Sequence, residues 1–102
     1  MEDKIFEEIK KVFMDHFQQN VQLINRSNAI SAEFKYEPDA KWFYLNICHP
    51  ENLKKEEYPI NFVSSVTPIG DLDNTLTTHY IIKFEVKDKD KLIDMINTKS
   101  KV

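Results

Sequence analysis

Residues 29–48, AISAEFKYEPDAKWFYLNIC, carry the clearest pattern in the chain. Apolar and polar residues alternate on both sides of residues 38–41, and this tetrapeptide contains the Pro and Asp that turns prefer. The pattern predicts a β-hairpin with a four-residue turn in which Glu37 faces Trp42. This register places three apolar pairs on one face of the hairpin: Tyr36–Phe43, Phe34–Leu45 and Ala32–Ile47. Because a slip of one residue would mix the two faces, the pattern supports this register.

The other face of the predicted hairpin is polar except for two large aromatic residues, Trp42 and Tyr44. Trp and Tyr are enriched at the energetic centres of protein interfaces, where an apolar ring with a polar edge fills a pocket. We therefore expect a partner-binding surface on this side of the sheet, made of Lys35, Glu37, Trp42, Tyr44, His79 and Ile81. The alternative is that residues 49–58 fold over the two rings, since aromatic cross-strand pairs also serve simply to stabilise sheets.

The segment before the hairpin predicts an amphipathic helix over residues 3–17, because its apolar residues recur at i, i+3, i+4 and i+7. The end of this helix is ambiguous. Its apolar stripe could continue to a stop between Asn20 and Asn28, which we favour. Alternatively, Asn20 could end the helix and residues 21–25 could begin an extended segment.

The segment after the hairpin predicts two strands and a helix. The strands span residues 58–67 and 76–86, a loop at 68–74 joins them, and Asp88 or Asp90 caps the last helix. The expected fold class is α+β, in the order α-β-β-β-β-α. It is a two-layer sandwich with a four-stranded antiparallel sheet and the N- and C-terminal helices on one face.

Composition narrows the functional classes. The 102 residues suit a single domain, 1–102, and their single Gly excludes the glycine-rich loops that hold nucleotide phosphates. A formal net charge of −3 and one arginine, Arg26, argue against nucleic-acid binding. One Cys excludes an internal disulfide, and the sequence has neither a membrane-spanning apolar run nor a secretory signal. We expect a cytoplasmic protein that does not bind membranes.

Three motifs with possible chemistry have simpler explanations. Asp71-Leu72-Asp73-Asn74-Thr75 resembles the first motif of haloacid-dehalogenase-type phosphatases, in which the first Asp is the nucleophile. Here Thr-Pro-Ile-Gly precedes the motif in place of a buried strand, so turn formation is the interpretation we favour. Cys48 and His49 are neighbours on a predicted strand, so their side chains point to opposite faces and do not form a nucleophile–base pair. His16 lies on the apolar stripe of the first helix, where a partly buried structural histidine is the simpler interpretation. We expect no catalytic site, no metal and no cofactor.

These exclusions leave a non-enzymatic protein-binding module as the expected function. The small, lysine-rich chain with many Ile and Asn suggests an AT-rich bacterial or phage genome. We therefore expect an inhibitor or regulator of a larger protein, of the immunity, anti-defence or phage host-takeover type. The alternative is a structural or self-associating subunit that binds another copy of itself through the same face or an open sheet edge. A nucleic-acid-binding adaptor that uses the C-terminal lysines is the third possibility.

Overall fold

The computed structural model describes residues 2–61, 64, 66–70 and 78–99. Three α-helices are present in this part of the chain: α1 (Asp3–Phe17), α2 (Glu37–Phe43) and α3 (Lys89–Lys99). The strands there are β1 (Val21–Asn25), β2 (Ile30–Phe34), β3 (Ile60–Asn61), β4 (Thr67–Gly70) and β5 (Thr78–Val86). The expected α+β class is confirmed, with helices at both ends of the chain and one additional helix in its centre. The motif at Asp71 and Asp73 lies outside the described residues.

The sheet is antiparallel and is built around β5. Its order is β1-β2-β5-β3, and β4 also pairs with β5. Because β4 pairs with the first half of β5 and β3 with its end, the two short strands share one edge of β5. Ser64 bridges the gap between them, since its N–H donates to the carbonyl of Lys83 at 3.0 Å. Residues 68–70, expected to begin a loop, instead belong to β4.

The predicted hairpin over residues 29–48 is wrong in its second half. Residues 37–43 form α2, and Tyr44–Cys48 continue it as a π-helical turn. The helix is favoured locally by Pro38 in its first turn and by an ion pair between Lys41 and Glu37 at 2.9 Å. Its buried side chains follow a helical period, not an alternating one: Ala40, Phe43 and Ile47.

The hairpin that does form joins β1 to β2. Val21 pairs with Phe34 and Asn25 with Ile30, so β1 takes the place beside β2 that residues 42–48 were expected to fill. α1 ends at Phe17, a single turn of 3₁₀ helix follows, and β1 begins at Val21. The favoured prediction that the helix runs to a stop between Asn20 and Asn28 is therefore wrong as well. The Lys35 N–H donates to the Asn20 carbonyl at 2.8 Å, which commits Asn20 to the hairpin.

The core lies between the three helices and one face of the sheet. Its centre is a cluster of phenylalanine rings from four elements. Phe43 of α2 lies 5.1 Å from Phe13 of α1 and 5.3 Å from Phe84 of β5, measured between ring centroids. Phe34 of β2 lies 5.7 Å from Phe43. Leu92 and Ile96 of α3 belong to the same buried cluster, so all three helices pack on the same side of the sheet.

α3 begins with the cap that the sequence indicates. The Lys91 N–H donates to Oδ1 of Asp88 at 3.1 Å, which identifies Asp88 as the capping residue. Near the same end, Nζ of Lys89 lies 2.9 Å from Oε2 of Glu8 and ties α3 to α1. No helix among the described residues is both long and apolar enough to cross a membrane.

Candidate functional site

The second face of the sheet has no helix over it in the part of the chain that the structure describes, and we call it the open face. Cross-strand pairing sets its residues in rows: Ile24, Ser31 and Lys83 form one row, and Glu33, Ile81 and Thr67 share the next. His79 precedes Ile81 by two residues in β5, so its side chain also lies on the open face.

A cavity of about 430 Å³ lies on the open face, and Ile24 and Ile81 supply its apolar walls. Ser31 lies at its floor and is only 2% exposed, with Nε of Arg26 donating to its hydroxyl at 3.4 Å. This volume is typical of small-molecule pockets, and it is also large enough to hold one or two large side chains of a partner protein.

Charged residues of both signs surround this cavity. Glu33, Lys83 and Arg26 line it, and Nδ1 of His79 lies 2.7 Å from Oε1 of Glu33. Lys83 is exposed, whereas Ile24 and Ile81 are half-buried. An apolar centre with a mixed-charge rim is the usual composition of a protein-binding patch.

The structure does not bring the six predicted partner-binding residues together. His79 and Ile81 lie on the open face, whereas Trp42 and Tyr44 lie on the helical segment packed against the other face. Lys35 follows the end of β2, and Glu37 begins α2. Placing Trp42 and Tyr44 on the sheet is therefore wrong, because it rested on the hairpin register. Any part that these residues take in binding stays a prediction.

The two aromatic residues have different neighbours. Trp42 packs on α1, with its ring 4.8 Å from His16 and 5.9 Å from Phe17 between centroids. Tyr44 lies 4.5 Å from the His49 ring. Residues 49–58, which the alternative prediction placed over both rings, therefore supply a ring contact to Tyr44, while Trp42 is packed against α1. Both side chains are half-buried.

A second cavity, which the sequence alone did not indicate, opens beside Trp42. It measures about 440 Å³ and lies between the end of α1 and the first turn of α2. We call it the Trp42 cleft; its lining includes His16, Gln18, Asn20, Asp39 and Trp42. Burial lowers the pKa of His16 from its ordinary value, and the nearby Asp39 carboxylate opposes that shift. The one sequence feature that pointed to this cleft was His16 on the apolar stripe of the first helix. Its neighbours Trp42 and Asp39 could not be identified without the correct structure of residues 37–48.

The structure does not place Cys48 and His49 as a nucleophile and a base. Cys48 is buried in the core, and burial raises the pKa of its thiol far above the ordinary range. His49 is exposed and packs on Tyr44. Within the described residues, no three His, Cys, Asp or Glu side chains are grouped so that they could hold a metal ion.

Comparison of the chain with protein-family models, with curated proteins and with solved structures gives no significant match.

Proposed function

We propose that this protein is a non-enzymatic binding module that recognises a larger protein through the open face of its sheet. The observation that carries the proposal is the segregation of the fold: all three α-helices lie on one face, and the other face combines half-buried Ile24 and Ile81 with charged neighbours. Isolated exposed apolar residues are common on protein surfaces. Apolar residues grouped at a cavity inside a charged rim favour an interaction site.

The form of this surface favours a protein ligand. Its apolar walls come from β1 and β5, and its charges come from β2, β5 and Arg26, which follows β1, so binding would involve several strands at once. A partner could insert one apolar side chain between Ile24 and Ile81 while its charged groups pair with Glu33 and Lys83. A small domain that covers part of a larger protein's surface controls access to it, so we propose regulation or inhibition of that partner.

Site-specific photo-crosslinking tests this function in the cell that encodes the protein. A photoreactive amino acid replaces Ile81 in one variant and Lys11, which is exposed on α1, in another. We expect one defined heterologous adduct from position 81 and none from position 11. The adduct should be lost when Glu33→Lys and Lys83→Glu reverse the rim charges. Identical adducts from both positions, or no adduct from position 81, would refute the proposal.

A specific observation at β1 favours self-association as the second candidate. The Arg26 N–H donates to Ala29 and the Lys35 N–H to Asn20, both to carbonyl groups. This hydrogen-bond phase directs the N–H and C=O of Leu23 away from β2. In the described part of the sheet, β1 has β2 as its one strand partner, and β1 contains no Lys or Pro of the kind that protects an edge. With the photoreactive amino acid moved to Gln22, which is exposed on β1, an adduct of twice the chain mass would identify this alternative.

A further inference from the structure

The Trp42 cleft has a rigid aromatic wall. The rings of Trp42 and His16 lie 4.8 Å apart between centroids and are tilted by 36°, and Phe17 meets the indole edge-on at 74°. These contacts hold the indole in one orientation, while part of it lines the cleft. Burial lowers the pKa of His16, which favours the uncharged form of its imidazole, so this ring adds to the aromatic wall.

The charge of the cleft is negative at neutral pH. Asp39 supplies a carboxylate, and no lysine or arginine occurs among the described residues that line the cleft. The first turn of α2 contributes a partial positive charge of about +0.5 at most, which is smaller than the full charge of Asp39. Asp39 therefore supplies the one full charge on the described lining of the cleft.

The backbone beside the cleft is strained. Gln18 has φ 60° and ψ −134°, and it is the one non-glycine residue with positive φ in the described part of the chain. This conformation strongly favours glycine, and non-glycine residues kept in such conformations cluster at binding and catalytic sites. Gln18 and Asn20 also add amide groups to the lining, which can hydrogen-bond a polar ligand.

We propose that the Trp42 cleft binds an arginine side chain of a protein partner, with the guanidinium stacked on the indole and paired with the Asp39 carboxylate. A guanidinium suits this lining better than an ammonium, because it is planar, stacks on aromatic faces and can donate two parallel hydrogen bonds to one carboxylate. The inference rests on the proposed function in taking the source of the cation to be a protein. The site lies on the helical side of the fold and is separate from the open face.

Trp42 is the only tryptophan, so its fluorescence reports directly on the cleft. The probe is the peptide acetyl-Gly-Arg-Gly-amide, titrated against the full chain at low salt. The counterpart with citrulline keeps the shape of the side chain and removes its charge. The counterpart with lysine keeps the charge and removes the planar guanidinium group. We expect saturable binding of the arginine peptide in the millimolar range, at least about tenfold weaker binding of the citrulline peptide, and intermediate binding of the lysine peptide. Equal responses to arginine and citrulline, or no saturable response to arginine, would overturn the inference.

Variants locate the effect at Asp39. Asp39→Asn should weaken binding of the arginine peptide by about tenfold, whereas Asp39→Glu, which keeps the carboxylate, should restore most of it. Asp15→Asn is the matched control, because Asp15 is exposed on α1 next to His16 and does not line the cleft. An equal loss in Asp15→Asn and Asp39→Asn would show a general charge effect and refute the site. If Asp39→Asn does not fold, the comparison of the arginine and citrulline peptides on the unchanged protein still tests the inference.

The two proposals fail separately. If the arginine peptide binds but no heterologous adduct forms at position 81, the cleft is a cation site and the protein-binding function through the open face is refuted. If the adduct forms but the peptide does not bind, the function stands and the cleft inference is refuted.

Discussion

Replacing Ile47 by alanine is expected to destabilise the protein by about 3 kcal/mol, whereas Leu45→Ala should change the stability by less than about 0.5 kcal/mol. The difference follows from the helical path of residues 37–48. Ile47 is 0% exposed in the core, and Leu45 is 61% exposed. The first variant leaves a cavity in the packed core, and the second removes atoms that already face solvent.

Urea unfolding measured by circular dichroism tests this pair. With a slope of about 1–3 kcal/mol per molar urea, a loss of 3 kcal/mol lowers the midpoint by about 1–3 M. The midpoint of Leu45→Ala should stay within a few tenths molar of the unchanged protein. The hairpin register would bury both residues on one apolar face, so similar large losses in the two variants would refute the helix.

Four further predictions concern single residues. Gln18→Gly should raise the thermal midpoint by a few degrees, because glycine relieves strain of about 1–3 kcal/mol and loses part of that gain to unfolded-state entropy; an unchanged or lower midpoint would argue against strain there. Burial lowers the pKa of His16, so the unfolded chain binds the proton more readily and stability falls as the pH drops below about 6.5. His16→Gln should therefore lose less stability between pH 7 and 5, as measured by urea midpoints. Asp88→Ala should cost about 1 kcal/mol in urea unfolding through loss of the α3 cap, whereas Asp94→Ala, at an exposed position of α3, should cost almost nothing. The thiol of Cys48 should react with a thiol-specific reagent only as fast as the protein unfolds, because burial raises its pKa; fast reaction in the native state would contradict its burial.

Much of the fold follows from local patterns in the sequence. The 3.6-residue period of α1, the alternation in β2 and β5 and the cap at Asp88 each indicate one kind of element, and the structure contains all four. The helices at the two ends of the chain also agree with the expected α+β class.

Residues 37–48 were mispredicted because their apolar residues fit two periods at once. Phe43, Leu45 and Ile47 alternate as in a strand, while Ala40, Phe43 and Ile47 have helical spacing. What decides between these periods is tertiary packing: Ala40 is buried against the core and Leu45 is left in solvent. A small alanine within an apparent turn carries too weak a hydrophobic signal to reveal this.

The candidate site was accessible to sequence reasoning only where strand alternation was correct. His79 and Ile81 lie on the open face because β5 has the expected period. The contribution of β1, through Ile24, was hidden because the first helix was expected to continue further. The Trp42 cleft depends on α1 meeting α2 in space, which no local pattern records.

The binding function is tested most directly by labelling the three histidines with diethyl pyrocarbonate. The labelling rates are measured with and without the partner protein that the crosslinking experiment identifies. Each histidine marks a different surface: His79 the open face, His16 the Trp42 cleft, and His49 the region beside Tyr44. Binding through the open face predicts that His79 is labelled at least about tenfold more slowly in the complex, while His49 keeps its rate. Slower labelling of His16 in the same complex would indicate that the partner also contacts the Trp42 cleft, as the arginine proposal predicts. An unchanged rate at His79 in a saturated complex would contradict the proposed function.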